Sequence, residues 1–165
     1  MSFRFQVQVF NQGVQDHQLS FVIGRSSRSL LLLAFCFSLF SCGTKSSPKF
    51  RQYYVQGEKL YTKHCSNCHQ ANGSGLGRVY PPVNTSDYME ANFEEVICLI
   101  RFGKHGELIV NGKQFNQPMK GIPSLTDLDI AEIATYIYNT WSHERGLVEV
   151  KDVSKILENC QTSEQ

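Results

Sequence analysis

The most informative segment of this 165-residue chain reads Cys65-Ser66-Asn67-Cys68-His69. Two cysteines that are separated by two residues and followed by histidine form the C-x-x-C-H signature of c-type haem attachment. The spacing lets both thiols reach the two vinyl groups on one edge of a porphyrin, and it places the histidine beneath the iron. We therefore predict one covalently attached haem c, bound through Cys65 and Cys68, with His69 as an iron ligand.

Two other uses of paired cysteines fit this sequence less well. A zinc site needs a second pair of cysteines or histidines at similar spacing, and the sequence contains no second C-x-x-C. A redox-active dithiol of the thioredoxin type belongs to a βαβ context, whereas the residues before Cys65 follow a helical pattern. Haem attachment remains the prediction that the surrounding sequence favours.

An export signal precedes the motif. Arg25 and Arg28 are followed by residues 30–40, an apolar run of eleven residues that is too short to span a bilayer. The sequence Leu39-Phe40-Ser41-Cys42 at its end resembles a bacterial lipobox, in which the cysteine is acylated. We expect residues 1–41 to be a lipoprotein signal peptide, with an ordinary cleaved signal or an uncleaved anchor as the alternatives.

The remaining chain divides into a tether and one domain. Residues 42–49 start at the lipidated Cys42 and read as a small, polar, flexible tether. Residues 50–165 form the predicted domain, with a C-terminal extension from about residue 142. The chain has 16 basic and 15 acidic residues and a formal charge of +1. Because this sequence shows no basic patch, we expect no binding to nucleic acid.

The helix before the motif carries a family resemblance. Gly57, Tyr61 and Cys65 recur every four residues on one helical face. Together with C-x-x-C-H, this pattern resembles the class I mono-haem cytochrome c family over residues 56–141. The resemblance implies an all-α, cytochrome c-like fold around one haem, in which the glycine lets this helix approach the C-terminal helix closely.

A second helix is marked by its start and its apolar stripe. Thr126, with Asp129 three residues later, resembles a capping box. The apolar residues that follow at helical spacing predict a helix reaching Trp141; they are Ile130, Ile133, Ala134, Ile137 and Trp141. This stripe is expected to pack on the Gly57/Tyr61 helix and on the edge of the haem.

The sixth iron ligand is assigned from the resemblance. Class I cytochromes carry a ligand methionine in a loop just before the C-terminal helix, and Met119 occupies that place. Lys120 stands where the family often has proline. Met89 comes too early in the family order, and His105 with His143 would form the alternative bis-histidine site. Methionine ligation raises the reduction potential of a haem.

The loop after His69 is expected to wrap the porphyrin and to orient the histidine. Residues 73–77 alternate glycine with Ser74 and Leu76, which suits close backbone approach. In related cytochromes a proline carbonyl accepts a hydrogen bond from the second ring nitrogen of the histidine. The resemblance therefore implies this role for Pro81 or Pro82, and the sequence does not separate them.

A β-hairpin is predicted between the two halves of the domain. Asn92 and Glu95 resemble a helix start, and Gly103 suits its end. The turn Asn111-Gly112 then lies between two strand-like runs, which is the strongest local signal of a hairpin. A minimal class I cytochrome lacks this hairpin, and we expect it to cover the Met119 side of the haem.

Two further cysteines are expected to pair. Cys98 and Cys160 remain after the signal, lipobox and haem cysteines are assigned, and spare cysteines in an exported domain favour a disulfide. The bridge would tie the C-terminal extension, with a short helix over residues 150–160, to the body of the domain. Two buried, unpaired thiols are the alternative.

These features predict one-electron transfer without enzymatic activity, because a haem with two protein ligands offers no site to a substrate. The expected partners are a respiratory oxidase, a reductase or a quinol-oxidising complex, together with the membrane that receives the lipid anchor. The expected location is the periplasmic side of that membrane. The alternatives are an electron-entry subunit of a reductase or oxidase, a peroxidase-like haem enzyme, and a haem sensor.

Overall fold

The computed structural model describes residues 47–162. The predicted signal peptide, Cys42 and residues 43–46 of the tether lie outside the described residues. In chain order, the elements are α1 (Pro48–His64), α2 (Ser66–His69), α3 (Asp87–Ala91), α4 (Phe93–Phe102), β1 (Gly103–Lys104), β2 (Leu108–Val110), β3 (Lys113–Phe115), β4 (Met119–Lys120), α5 (Asp127–Ile137) and α6 (Val150–Thr162). The predominantly helical architecture with one small hairpin agrees with the predicted fold class.

Helix α1 begins inside the segment that was predicted to be the tether. The Ser47 side chain accepts a hydrogen bond from the amide of Phe50, and Pro48 occupies the first helical position, where its missing N–H costs nothing. Pro48 and Lys49, which were expected to belong to the tether, are therefore helical. The helix therefore starts two residues before the predicted domain boundary at Phe50.

Helices α1 and α5 cross at Gly57. A β-carbon at Gly57 would overlap the carbonyl oxygen of Glu132 and would press on the Cβ atom of Tyr136. The absence of a side chain is what lets the two backbones approach so closely. The crossing buries the ring of Tyr61 and the α5 residues Ile130 and Ile133 almost completely.

Helix α5 begins as predicted and ends sooner. Thr126 and Asp129 form a reciprocal capping box, with each side chain bonded to the backbone amide of the other residue. The helix ends at Ile137, so Trp141 is not part of it. The side chains of Asn139 and Thr140 bond the carbonyls of the last turn, which replaces further helical bonds. Trp141 nevertheless packs on the α1–α5 crossing through the aromatic rings of Tyr61 and Tyr136.

The four short strands form two antiparallel pairs. Strands β2 and β3 make the predicted hairpin, with Val110 opposite Lys113 and the turn residues Asn111 and Gly112 both at positive φ. Strands β1 and β4 pair the end of α4 with the segment that contains Met119. Lys104 and Met119 are direct partners in that pair, so Met119 is held on a strand rather than in a free loop.

The C-terminal helix is fixed to α4. Cys98 and Cys160 are joined by a disulfide, with their Cα atoms 6.0 Å apart, which is the pairing that the sequence suggested. Val153 of α6 is completely buried, and Ser154 donates a hydrogen bond of 2.6 Å to Asp127 at the start of α5. The extension is thereby packed on the domain. No helix within residues 47–162 is both long enough and apolar enough to cross a membrane.

Candidate functional site

A cavity opens beside the C-x-x-C-H segment. Its outer part has a volume of about 630 Å³, and a smaller apolar part of about 90 Å³ lies deeper. Volumes of 300 to about 1,000 Å³ are typical of sites for cofactors and small molecules. Both parts are lined by Cys65, His69, Pro81, Leu99, Ile100, Leu108 and Met119. The cavity therefore brings together side chains that are up to 54 positions apart in the sequence.

The two motif cysteines flank the cavity on and just before α2. Neither Cys65 nor Cys68 is in a disulfide, and both side chains are partly buried. Burial, and then the neighbouring Cys68, raise the pKa of the Cys65 thiol to about 12. Cys65 is thus a neutral thiol in the folded chain, and its position at the cavity wall suits a thioether bond to a bound group.

His69 is held in one orientation by the backbone of the following loop. Its Nδ1 atom lies 3.0 Å from the carbonyl oxygen of Pro81, which accepts the hydrogen bond. This contact leaves Nε2 as the ring nitrogen available to a metal. Burial lowers the pKa of His69, while the Pro81 contact opposes that shift. The lowered pKa favours the neutral imidazole that metal ligation requires. Of the two candidate prolines, Pro81 makes this contact, and Pro82 only lines the cavity wall.

Two methionines contact the cavity. Met119 lines both of its parts, whereas Met89 lines only the deeper, apolar part and is 4% exposed. Met89 lies on α3, a short helix that the sequence did not predict. The hydroxyl of Tyr138 donates a hydrogen bond of 2.8 Å to the backbone carbonyl of Met89. The predicted juxtaposition of His69 and Met119 in one cavity is present in the structure.

The two histidines of the alternative site lie elsewhere. His105 is exposed and does not line either part of the cavity. His143 is buried with Nε2 3.3 Å from the carbonyl oxygen of Val83, and its Nδ1 is 3.2 Å from a carboxylate oxygen of Glu90. The structure does not bring this pair together at the cavity, so it offers no support for a bis-histidine site.

Sequence reasoning did not predict several contacts that shape the site. The Tyr61 hydroxyl donates a 2.7 Å hydrogen bond to the carbonyl of Gln70, which has a positive φ directly after His69. Gly75 packs against the carbonyl groups of Tyr80 and Pro81 so closely that a β-carbon would overlap them. A glycine-rich loop predicts close approach in general, but the particular partners are visible only in the folded chain.

The side chains around the cavity fit a covalent haem. Two thiols, a neutral imidazole and a thioether sulfur are the donors that c-type haem uses. The wall of the deeper part is otherwise mainly apolar and includes residues of α4, α5 and the hairpin, which suits a porphyrin. The outer part also carries polar side chains such as Lys63, Lys104 and Gln117. The fold and this donor set define a helical haem protein of the covalent type.

Comparison with known proteins agrees with this definition. The family model described as Cytochrome c matches residues 54–141. The chain therefore belongs to the cytochrome c family, which implies a covalently attached haem c and a role in electron transfer. The match ends at Trp141, so helix α6 lies outside it.

Two individual proteins show what this chain is similar to. The chain is 30% identical over 91 residues to cytochrome c-552 of Thermus thermophilus, covering 53% of this chain and 69% of that protein. It is 28% identical over 106 residues to the cytochrome c subunit of a quinone alcohol dehydrogenase from Gluconacetobacter polyoxogenes. That second match covers 62% of this chain but only 22% of the subunit.

Proposed function

We propose that Cys65 and Cys68 would hold a haem c covalently and that His69 and Met119 would be its two iron ligands. The observation that supports this assignment is the single cavity that all four side chains line. When bound, haem c supplies an iron centre that gains and loses one electron. Because two side chains of the protein would bind the iron, the site would have no place for a substrate. Its function is to carry electrons.

The polypeptide orients the His69 ring and excludes water from the cavity. The Pro81 carbonyl fixes the His69 ring and increases its basicity. Apolar side chains from α4, the hairpin and α5 surround the donors; they are Leu99, Ile100, Leu108, Val110, Ile133 and Ile137. An apolar environment that excludes water tunes the reduction potential of a haem and limits the access of small ligands to its iron.

The absorption spectrum of the purified protein tests this assignment. We expect a low-spin c-type spectrum, with the weak sulfur-to-iron band in the oxidised form, and no change when carbon monoxide is added to the reduced form. A high-spin spectrum, or a shift on addition of carbon monoxide, would instead indicate an open sixth position and favour a haem enzyme or sensor.

The proposed setting is a respiratory chain on the periplasmic side of a membrane, to which the protein is tethered by a lipid on Cys42. The order of Arg25, Arg28, an apolar run and the lipobox-like cysteine supports the tether. Tethering would raise the effective concentration of the carrier near membrane oxidases and reductases. A Cys42→Ser variant should move the haem protein into the soluble fraction, and continued retention by membranes would contradict this anchor.

A second candidate role is that of an electron-transfer subunit in a dehydrogenase complex. The similarity to the cytochrome c subunit of a quinone alcohol dehydrogenase supports it. Affinity purification from solubilised membranes separates the two roles. A free carrier should elute alone, whereas a subunit should co-purify in fixed ratio with a dehydrogenase, and its haem should be reduced when the substrate of that enzyme is added.

A further inference from the structure

The β2–β3 hairpin forms one wall of the cavity. Its residues alternate, with Leu108 and Val110 facing the cavity and Ile109 between them 59% exposed. Phe115, on the second strand, is 3% exposed and lines the outer part of the cavity, as Met119 also does. The hairpin therefore forms part of the wall of the cavity that His69 and Met119 both line.

The tip of the hairpin is bonded to a distant part of the chain through Asn111. The Asn111 side-chain amide donates a 2.6 Å hydrogen bond to the carbonyl of Thr85, and its Oδ1 accepts a 3.1 Å bond from the amide of Asp87. In return, the Asn111 amide donates a 2.7 Å bond to Oδ1 of Asp87. These three bonds join positions that are 24 and 26 residues apart.

The partners of Asn111 belong to the segment that orients His69. Within residues 81–86, Pro81 accepts the hydrogen bond from His69, and Pro82, Val83 and Ser86 line the inner cavity. Thr85 lies inside this segment and Asp87 follows it directly. Asn111 thus connects the hairpin wall of the cavity with the segment that orients His69.

We propose that Asn111 is a positioning residue that holds the hairpin closed and so controls the access of small ligands to the iron position at Met119. This role rests on the proposed axial ligation and extends it. Each net hydrogen bond changes an opening equilibrium by roughly twofold to tenfold. Loss of the side-chain bonds should therefore populate the open hairpin about tenfold more often.

Asparagine at position 111 meets two requirements, one of the backbone and one of the side chain. Its φ of 51° lies in the left-handed region that the tight turn requires, and asparagine tolerates this conformation better than most residues. Glycine would meet the backbone demand without making the side-chain bonds. The Asn111→Gly variant consequently removes the proposed function of the residue while it preserves the turn.

The test is the rate at which imidazole binds to the oxidised holoprotein. We expect Asn111→Gly to increase the association rate about tenfold and to lower the reduction potential, because water stabilises the more highly charged oxidised haem. Asp87→Ala should act in the same direction, whereas Asp87→Asn, which keeps the Oδ1 acceptor, should remain near the wild type. Gly112→Asn alters the same turn without touching the bonds, and a β-carbon there meets no atom within 4 Å; its rate should be unchanged.

Melting temperatures are measured alongside to separate positioning from general stability. If Asn111→Gly and Asp87→Ala lower the melting temperature but leave the imidazole rate and the potential at wild-type values, the positioning role is wrong. An equal acceleration in Gly112→Asn would also overturn it. The wild-type spectrum reports separately on Met119 ligation, so failure of the proposed ligation and failure of the Asn111 role give different results.

Discussion

The Nδ1 atom of His69 lies 3.0 Å from the carbonyl oxygen of Pro81, and the backbone at Gly75 leaves room for this contact. A β-carbon at Gly75 would come within 2.7 Å of both the carbonyl carbon and the carbonyl oxygen of Pro81. The orientation of His69, the proposed iron ligand, thus depends on Gly75, which has no side chain and lies six positions further along the chain. This relationship leads to the first prediction.

Replacement of Gly75 by alanine should displace the Pro81 carbonyl and weaken its hydrogen bond to His69. A less basic histidine stabilises oxidised iron less well, so we expect the reduction potential to rise by about 20–60 mV, the equivalent of one net hydrogen bond. Redox titration measures this shift. Gly77→Ala is the matched control, because Gly77 also has a positive φ but a β-carbon there meets no atom within 4 Å. An equal shift in both variants would show that backbone strain, not the Pro81 contact, is responsible.

Leucine substitutions at the two cavity methionines distinguish the sixth ligand. Met119→Leu should abolish the sulfur-to-iron band, admit carbon monoxide to the reduced haem and lower the potential by on the order of 0.1 V. Met89→Leu removes a thioether from the same cavity and should retain the band, at a cost of less than about 1.5 kcal/mol in the free energy of unfolding. If only Met89→Leu lost the sulfur-to-iron band, Met89 rather than Met119 would be the sixth ligand.

The Cys98–Cys160 disulfide should stabilise the domain without changing the haem. It closes a loop across 62 positions, for which chain entropy gives at most about 4 kcal/mol in the free energy of unfolding. Cys98→Ser, Cys160→Ser and the double variant should lose similar amounts, because each removes the same bond. Urea unfolding measures the loss. Strictly additive losses in the double variant would contradict a shared bond.

Acidification should weaken the contacts around Glu95. The Tyr88 hydroxyl, followed by Lys104, lowers the pKa of Glu95 below its ordinary value of 4.5, and Lys104 makes a 2.9 Å ion pair with it. The carboxylate therefore contributes stability above about pH 4.5, and this contribution disappears as the pH falls through the lower folded-state value. Urea unfolding of Glu95→Gln should differ from the wild type above pH 4.5 and converge with it in stronger acid.

The neighbouring Glu94 provides the control for this pH dependence. Glu94 is exposed, and Glu94→Gln removes the same charge from the adjacent position of α4. If both variants lose the same stability with the same pH dependence, the effect reflects the net charge of the protein and not the Tyr88 and Lys104 contacts.

Local signals in the sequence predicted the elements that depend on neighbouring residues. The Thr126/Asp129 capping box and the Asn111-Gly112 turn were predicted correctly, because each is built from residues within a few positions of one another. The C-x-x-C-H motif likewise concentrates most of the predicted site in five residues.

Features that depend on distant contacts could not be predicted in this way. Helix α3 is only five residues long, and its first turn is held partly by Ser86 and partly by Asn111 from the hairpin. The choice of Pro81 over Pro82 depends on how the loop folds back over His69. The helical pattern extended to Trp141 because that side chain does join the same apolar cluster, although the helix has already ended.

The disulfide between α4 and α6 also sets a condition on biogenesis. The proposed thioether bonds would consume the thiols of Cys65 and Cys68, so these two cysteines would have to stay reduced until haem is attached. Cys98 and Cys160 of the same chain must instead be oxidised. Maturation therefore has to discriminate between two cysteine pairs within one polypeptide, and a compartment that merely oxidises thiols would block the first pair while it completes the second.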